Sequence, residues 1–180
     1  VINVERDTEL GGPIQQKGVM VLQGFLAGHF ALRIPLSFNC SITFEQSYGG
    51  VEGDSASMAE LCAVLSTLSG LQLRQDLAIT GSVNQRGQSQ PIGGAIEKIE
   101  GFFRTCFEAA PLTGSQGVII PASNAANVLL RQDVVEAVAS GKFHVYSVES
   151  IEEAIELLTG VPAGEADGDN NYPPDSVYGK

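Results

Sequence analysis

The stretch Gly49-Gly50-Val51-Glu52-Gly53-Asp54-Ser55-Ala56-Ser57, running into Met58 to Leu68, decides how this chain folds. Ahead of it, Ile42 and Phe44 alternate with Ser41, Thr43 and Glu45, the two-residue period of a half-buried strand. The glycines allow a backbone reversal that a β-carbon would obstruct. Behind it, Met58, Leu61, Cys62, Leu65 and Leu68 fall on one stripe of a helix, and Gly70 stands where a helix stops. A strand, a tight turn and a helix present one side chain at a helix N-terminus. Here that side chain is Ser55, with Asp54 placed to act as N-cap. First-turn N–H groups lack intrahelical partners and stabilise negative charge, either on a phosphate or on the oxyanion formed when a serine attacks a carbonyl. Serine and aspartate are also ordinary capping residues, and geometry alone favours that plainer role.

Downstream, Leu77–Val83 and Gln88–Ile92 read as two short strands joined by a turn at Asn84–Gly87. Gly93 and Gly94 break the pattern, and a helix over Ala95–Phe107 follows, with Ala95, Ile99, Phe102 and Cys106 on one face and Glu97, Glu100 and Arg104 opposite. Lys98 lies on the border of those faces, in the first turn, where a cation opposes the helix dipole. Two readings stand level: a stem that snorkels over apolar surface, or a lysine pressed against the core whose pKa falls far enough for it to act as a base. Gly117–Ile120 is a buried strand ended by Pro121. A helix over Ala125–Leu130, another over Asp133–Ser140, a last strand Phe143–Val148 and a last helix Ser150–Leu158 complete the pattern.

Upstream, Val1–Glu9 reads as a short strand before the Gly11-Gly12-Pro13 break, and Gly18–Gln23 (GVMVLQ) as a second strand. Gly24–Leu32 fits a short helix or a continuation of that strand. From Val161 onward the chain turns to Pro, Gly, Asp and Asn, which predicts a flexible acidic tail over 161–180 behind a domain over 1–160. Strands early and alternating strands and helices later predict an α+β fold, an α/β sheet with packed helices.

A length of 180 residues suits one core. Ten Lys and Arg against 21 Asp and Glu give a net charge of −11 without any basic cluster, which argues against nucleic-acid or anionic-lipid partners. Cys40, Cys62 and Cys106 lie in apolar segments at spacings that suit neither zinc nor a disulfide framework, and read as reduced residues of a cytoplasmic protein. No run is long and apolar enough for a membrane span. His29 and His144 have no neighbours at ligand spacing and read as structural, so a serine nucleophile would need a different base. The chain begins at Val1, and an excised domain is the expectation.

Glu52-Gly53-Asp54-Ser55-Ala56-Ser57, with Gly93-Gly94-Ala95-Ile96-Glu97-Lys98 further on, resembles the proteolytic domain of Lon proteases, in the archaeal-type form of the motif. Thr80-Gly81-Ser82, Arg86-Gly87-Gln88 through Pro91-Ile92, and Val118–Pro121 add to the resemblance, which spans Lys17 to Leu158. It implies the Lon protease-domain fold, similar to the ribosomal-protein domain-2-like superfamily. It also implies a serine endopeptidase with Ser55 as nucleophile and Lys98 as general base, Thr80 orienting the lysine, and backbone N–H groups near Ser55 forming an oxyanion hole. Asp54, Glu52 and Gly53 are implied as supporting residues, and Asp54 is positioned to restrain Lys98 in an ion pair. Ser57 stands where a bacterial-type motif has glycine, and it faces about 200° around a helix from Ser55.

Family members join this domain to an ATPase and form hexamers that degrade unfolded polypeptide. This chain carries no Gly-x-x-x-x-Gly-Lys-Ser/Thr loop, so ATP and magnesium are expected on a part outside it, and neither a metal nor a cofactor is expected within it. Two other classes compete. One is a catalytically silent domain of this fold serving as an assembly or substrate-binding platform; the other is a phosphate-binding turn at Gly53–Ser57, disfavoured by the adjacent Glu52 and Asp54.

Overall fold

The computed structural model describes residues 2–3, 7, 9–31, 36–45 and 47–180. β6 (Gly117–Pro121) is the central strand of a three-stranded parallel sheet, between β3 (Leu77–Ile79) and β7 (His144–Val148), and all five of its residues are buried. Side-chain alternation along β6 feeds two cores, since successive residues point to opposite faces. Ile119 packs with helices α1 (Pro13–Phe30), α2 (Ser57–Ser69) and α6 (Ile151–Thr159) through Leu22, Phe25, Leu61, Leu65, Ile155 and their neighbours. Val118 and Ile120 pack on the other face with Ile99 and Phe103 of α3 (Ala95–Ala109), Val134 of α5 (Gln132–Ala139), and Phe143. A strand buried on both faces reads as a continuous apolar run, which is what Gly-Val-Ile-Ile-Pro supplies.

Beside this sheet, β4 (Ser82–Val83) and β5 (Ser89–Gln90) form a short antiparallel ribbon, and β1 (Ile2–Asn3) pairs in parallel with β2 (Ser41–Ile42). The ribbon turns at Asn84–Gly87, where Asn84 Oδ1 accepts from the N–H groups of Arg86 and Gln88 and Gly87 takes φ 79°. Parallel and antiparallel pairs with helices packed on them make an α+β fold, as the sequence predicts. Six elements follow their predicted bounds closely: α2, α3, β6, α5, β7 and α6, the last capped by Ser150 Oγ accepting from Glu153 N.

Several expectations give way. Gly18–Gln23 is the middle of α1 rather than a strand, and Gly24 to Phe30 completes the same helix; Leu32 lies outside the described residues. Pro13 starts it, at the one position where its missing N–H costs nothing. Val19, Leu22, Phe25 and Leu26 are buried at helical spacing, so an apolar run compatible with a strand takes the helical period once it has a core to face. Of the predicted Val1–Glu9 strand only Ile2–Asn3 is described as such; Val1, Val4, Glu5, Arg6 and Thr8 lie outside the described residues. The strand ahead of the glycine turn is confined to Ser41–Ile42. The helix expected over Ala125–Leu130 is instead the single turn α4 (Ala122–Ala125).

Val161–Lys180 is not a solvated tail throughout. Ala163, Ser176 and Val177 are buried, Val177 N and Tyr178 N donate to Pro162 O and Ala163 O, and the Tyr178 hydroxyl donates to Glu152 Oε1 at 3.0 Å. Composition predicts solvation of the segment as a whole, but three apolar or small residues suffice to dock it on α6. Cys62 is fully buried while Cys40 and Cys106 are half-buried, and all three are free thiols. Burial pushes the Cys62 thiol up to about 12. No described helix is long and apolar enough to cross a membrane.

Candidate functional site

Ser55 sits in the turn just before α2, half-buried, with its carbonyl oxygen held from two sides: Gly81 N donates to it at 2.8 Å and Thr80 Oγ1 at 3.2 Å. Met58 N donates back to Gly81 O at 3.1 Å. The two residues between β3 and β4, Thr80 and Gly81, therefore clip the start of α2 in place. A Cβ on Gly81 would collide with Met58 Sδ and press on Pro121 at 3.1 Å, so a larger residue here must displace the buried Met58 side chain.

Ser57 and Asp54 are held by the next residues along the same strand. Val83 N donates to Ser57 Oγ at 3.1 Å, and Ser82 Oγ donates to Asp54 Oδ2 at 2.8 Å. Ser57 is 1% exposed, which removes it as a nucleophile. The helix N-cap is Ala56 rather than Asp54, and Asp54 contributes its carbonyl oxygen, not its carboxylate, to the Ser57 N–H. The expected Asp54–Lys98 ion pair is absent among the described residues, because the aspartate is turned to Ser82 instead.

Lys98 approaches from α3. Gly94, in the left-handed conformation at φ 69°, caps that helix, and Lys98 N donates to Gly94 O. The preceding loop is clamped by Asn124, whose Oδ1 accepts from Ile92 N at 3.0 Å while its Nδ2 donates to Ile92 O at 2.9 Å. From this base Lys98 Nζ lies 2.8 Å from Ser55 Oγ and 3.1 Å from Thr80 Oγ1, donating to both. The side chain is exposed rather than pressed into the core, yet partial desolvation still draws its pKa below 10.5. Only in its neutral form has an amine at this distance a lone pair that can take the hydroxyl proton.

Glu52 and Gly53 stand outside this contact. Glu52 Oε1 accepts from Ile14 N at 3.1 Å, so the carboxylate caps α1, where the dipole favours a negative charge. Gly53 takes φ 91°, a conformation that a β-carbon would strain. Asn124 carries no functional signal in the sequence, and its clamp on Ile92 emerges only from the fold. His29 and His144 bond backbone oxygens, of Phe25 at 3.0 Å and Gly114 at 2.8 Å, and neither approaches Ser55 as a base. Among the described residues no cluster of three or more His, Cys, Asp or Glu is placed to hold a metal ion.

Residues 46–160 match the family model described as the Lon protease (S16) C-terminal proteolytic domain. The chain is 50% identical over 156 residues, 87% of its length, to a Lon protease homolog of Escherichia coli (strain K12). It is 48% identical over 160 residues, 89% of its length, to one of Haemophilus influenzae. Over 120 residues, 67% of its length, it is 42% identical to the archaeal Lon protease of Thermococcus kodakarensis, of which it covers 17%. The chain spans 26% of the length of each of the two bacterial relatives.

Proposed function

This chain belongs to the Lon protease C-terminal proteolytic-domain family, and from that premise we propose that it is a serine endopeptidase that cleaves polypeptides through Ser55 and Lys98. The observation that carries this reading is the 2.8 Å separation of Lys98 Nζ and Ser55 Oγ, made by residues that are 43 positions apart in the chain. In its neutral form Lys98 accepts the Ser55 hydroxyl proton as Oγ attacks the scissile carbonyl. The C–N bond then breaks, the Lys98 ammonium returns the proton to the leaving amine, and an ester on Ser55 remains. Water then loses a proton to Lys98 as it attacks that ester, the acyl C–Oγ bond breaks, the Lys98 ammonium returns the proton to Ser55 Oγ, and the acyl group leaves as the carboxylic acid.

Thr80 supports the step by accepting from Lys98 Nζ while donating to the Ser55 carbonyl, which aligns amine and serine with one hydroxyl. The Ser57 and Met58 N–H groups are already taken, by Asp54 O and Gly81 O, whereas those of Ser55 and Ala56 do not donate within the described structure. They are the oxyanion donors in this reading, since a free N–H beside the nucleophile stabilises the tetrahedral charge without reorganisation. Asp54, Glu52 and Gly53 act by shaping the turn. ATP, magnesium and a hexameric ring belong, in this proposal, to the parts of the full-length relatives that this chain does not span, and unfolded polypeptide in the cytoplasm is the substrate.

The test is cleavage of unstructured fluorogenic peptides by the wild-type chain and by Ser55→Ala and Lys98→Ala. Both substitutions should lower kcat/KM by about a thousandfold or more. Activity that survives either one overturns the dyad. A wild-type chain that stays silent even when joined to a cognate ATPase ring favours the platform reading instead.

A further inference from the structure

Next to the Ser55 turn runs an open groove of about 550 Å³ whose walls come from α1 on one side and the β4–β5 ribbon on the other. Lys17 of α1 and Arg86 of the ribbon turn both line it, together with Gln85, Ser82 and Asp54. In a chain of net charge −11, two cations lining one groove stand out against their surroundings. The other arginines among the described residues are spoken for: Arg74, Arg104 and Arg131 pair with Asp76, Glu108 and Asp133. Lys17 and Arg86, by contrast, make no side-chain ion pair or hydrogen bond among the described residues, the bond at Arg86 being from its backbone N–H to Asn84 Oδ1. The one carboxylate in the groove, Asp54, accepts from Ser82 Oγ at 2.8 Å rather than neutralising either of them.

We propose that this groove is a substrate subsite that takes an acidic side chain, with Lys17 and Arg86 pairing to the substrate carboxylate; this rests on the peptidase reading above. Position supports it. Asp54 adjoins Ser55 in the chain and lines the groove, so the groove borders the turn that carries Ser55, and in this proposal a residue flanking the scissile bond reaches it. Packing supports it too, because α1 runs close against the turn. A Cβ on Gly18 would lie 3.4 Å from the Asp54 Cβ, an ordinary contact, and one on Gly24 would meet the end of the Gln85 side chain, so α1 borders both the turn and the ribbon. Lys17 lies outside residues 46–160, the segment that matches the family model, so this wall is a contribution of the preceding helix. The role assigned to Lys17 and Arg86 is specificity and not chemistry.

The experiment separates binding from cleavage. Ser55→Ala chain is titrated with three fluorescein-labelled unstructured peptides, identical except for Glu, Gln or Lys at positions flanking one fixed cleavable bond, and anisotropy gives Kd; the wild-type chain is assayed for kcat/KM on the same set. Two exposed ion pairs predict that the Glu peptide binds about fivefold more tightly than the Gln peptide at low salt, with the difference shrinking as ionic strength rises. The double charge reversal Lys17→Glu, Arg86→Glu should turn the preference towards the Lys peptide, an inversion that a misfolded variant would not produce. Equal binding of all three peptides, or tighter binding of the Lys peptide by the unreversed chain through Asp54, overturns the subsite. Selective binding of the Glu peptide without cleavage of any peptide by the wild type upholds the subsite and counts against the peptidase reading.

Discussion

Lys98 and Ser55 show how a residue can be legible in sequence while its state is not. The awkward position of a lysine in the first turn of α3 marks it from the sequence, but whether its end reaches a serine or the solvent depends on how α3 is aimed. With Nζ 2.8 Å from Ser55 Oγ, the partial desolvation that draws its pKa below 10.5 enlarges the neutral fraction at any given pH. Only neutral amine has the lone pair that takes the proton, so kcat/KM should climb as pH rises towards the Lys98 pKa and level off above it. A pH–rate profile that falls over this range would contradict Lys98 as the base. Lys98→Arg is the sharper probe. Its guanidinium keeps the positive charge at any workable pH, so it should be as inactive as the alanine variant and show no recovery up to pH 10. Ser57, the nearest rival of Ser55 for the proposed role of nucleophile, is enclosed at 1% exposure.

At the scale of elements, the segment Thr80–Val83 does the joining. Each of its four residues bonds the Asp54–Met58 turn: Thr80 Oγ1 and Gly81 N to Ser55 O, Ser82 Oγ to Asp54, and Val83 N to Ser57 Oγ. A strand beside a turn normally bonds through its backbone alone; here side chains of both partners take part, which fixes the turn in position as well as in register. The buried Val83 N–H has Ser57 Oγ as its partner, and Ser57→Ala would leave that donor unsatisfied. Such a loss costs about 1–3 kcal/mol. Urea unfolding of Ser57→Ala should therefore show a lower midpoint at unchanged slope, with peptide cleavage reduced but not abolished. A variant as stable as the wild type would remove Ser57 from this role.

For the molecule as a whole, two cores on the two faces of one parallel sheet carry the site between them: α2 brings the turn from one face and α3 brings the lysine from the other. The C-terminal segment closes the first of these cores. Ending the chain at Gly160 removes Ala163 and Val177 from it and uncovers the surface of α6 and α2 that they shield, so the shortened chain should melt several degrees lower and bind the dye ANS more strongly. An unchanged melting temperature would return Val161–Lys180 to the status of a tail.

By itself the sequence determined what is local. The helices α2, α3, α5 and α6 and the strands β6 and β7 carry clear periods, Gly70, Gly87, Gly94 and Gly160 punctuate the chain in left-handed conformations, and Ser150 caps α6, all of which act within a few residues. It also placed both motifs, Gly53-Asp54-Ser55 and Gly93-Gly94 to Lys98, on the turns that the structure gives them. The strand that Gly18–Gln23 suggests is a helix instead, because a short, mostly apolar run satisfies either period and only Leu22, Phe25 and Leu26 meeting α2 selects the helix. The docking of Val177 was hidden in the same way, by a polar composition that says nothing of one apolar residue finding a gap. Tertiary structure alone decided that Asp54 bonds Ser82 instead of Lys98, that Asn124 clamps Ile92, and that an amine and a hydroxyl 43 residues apart meet at 2.8 Å. Such contacts depend on the relative placement of elements packed on a shared sheet, a property of the whole core that no short window of sequence contains.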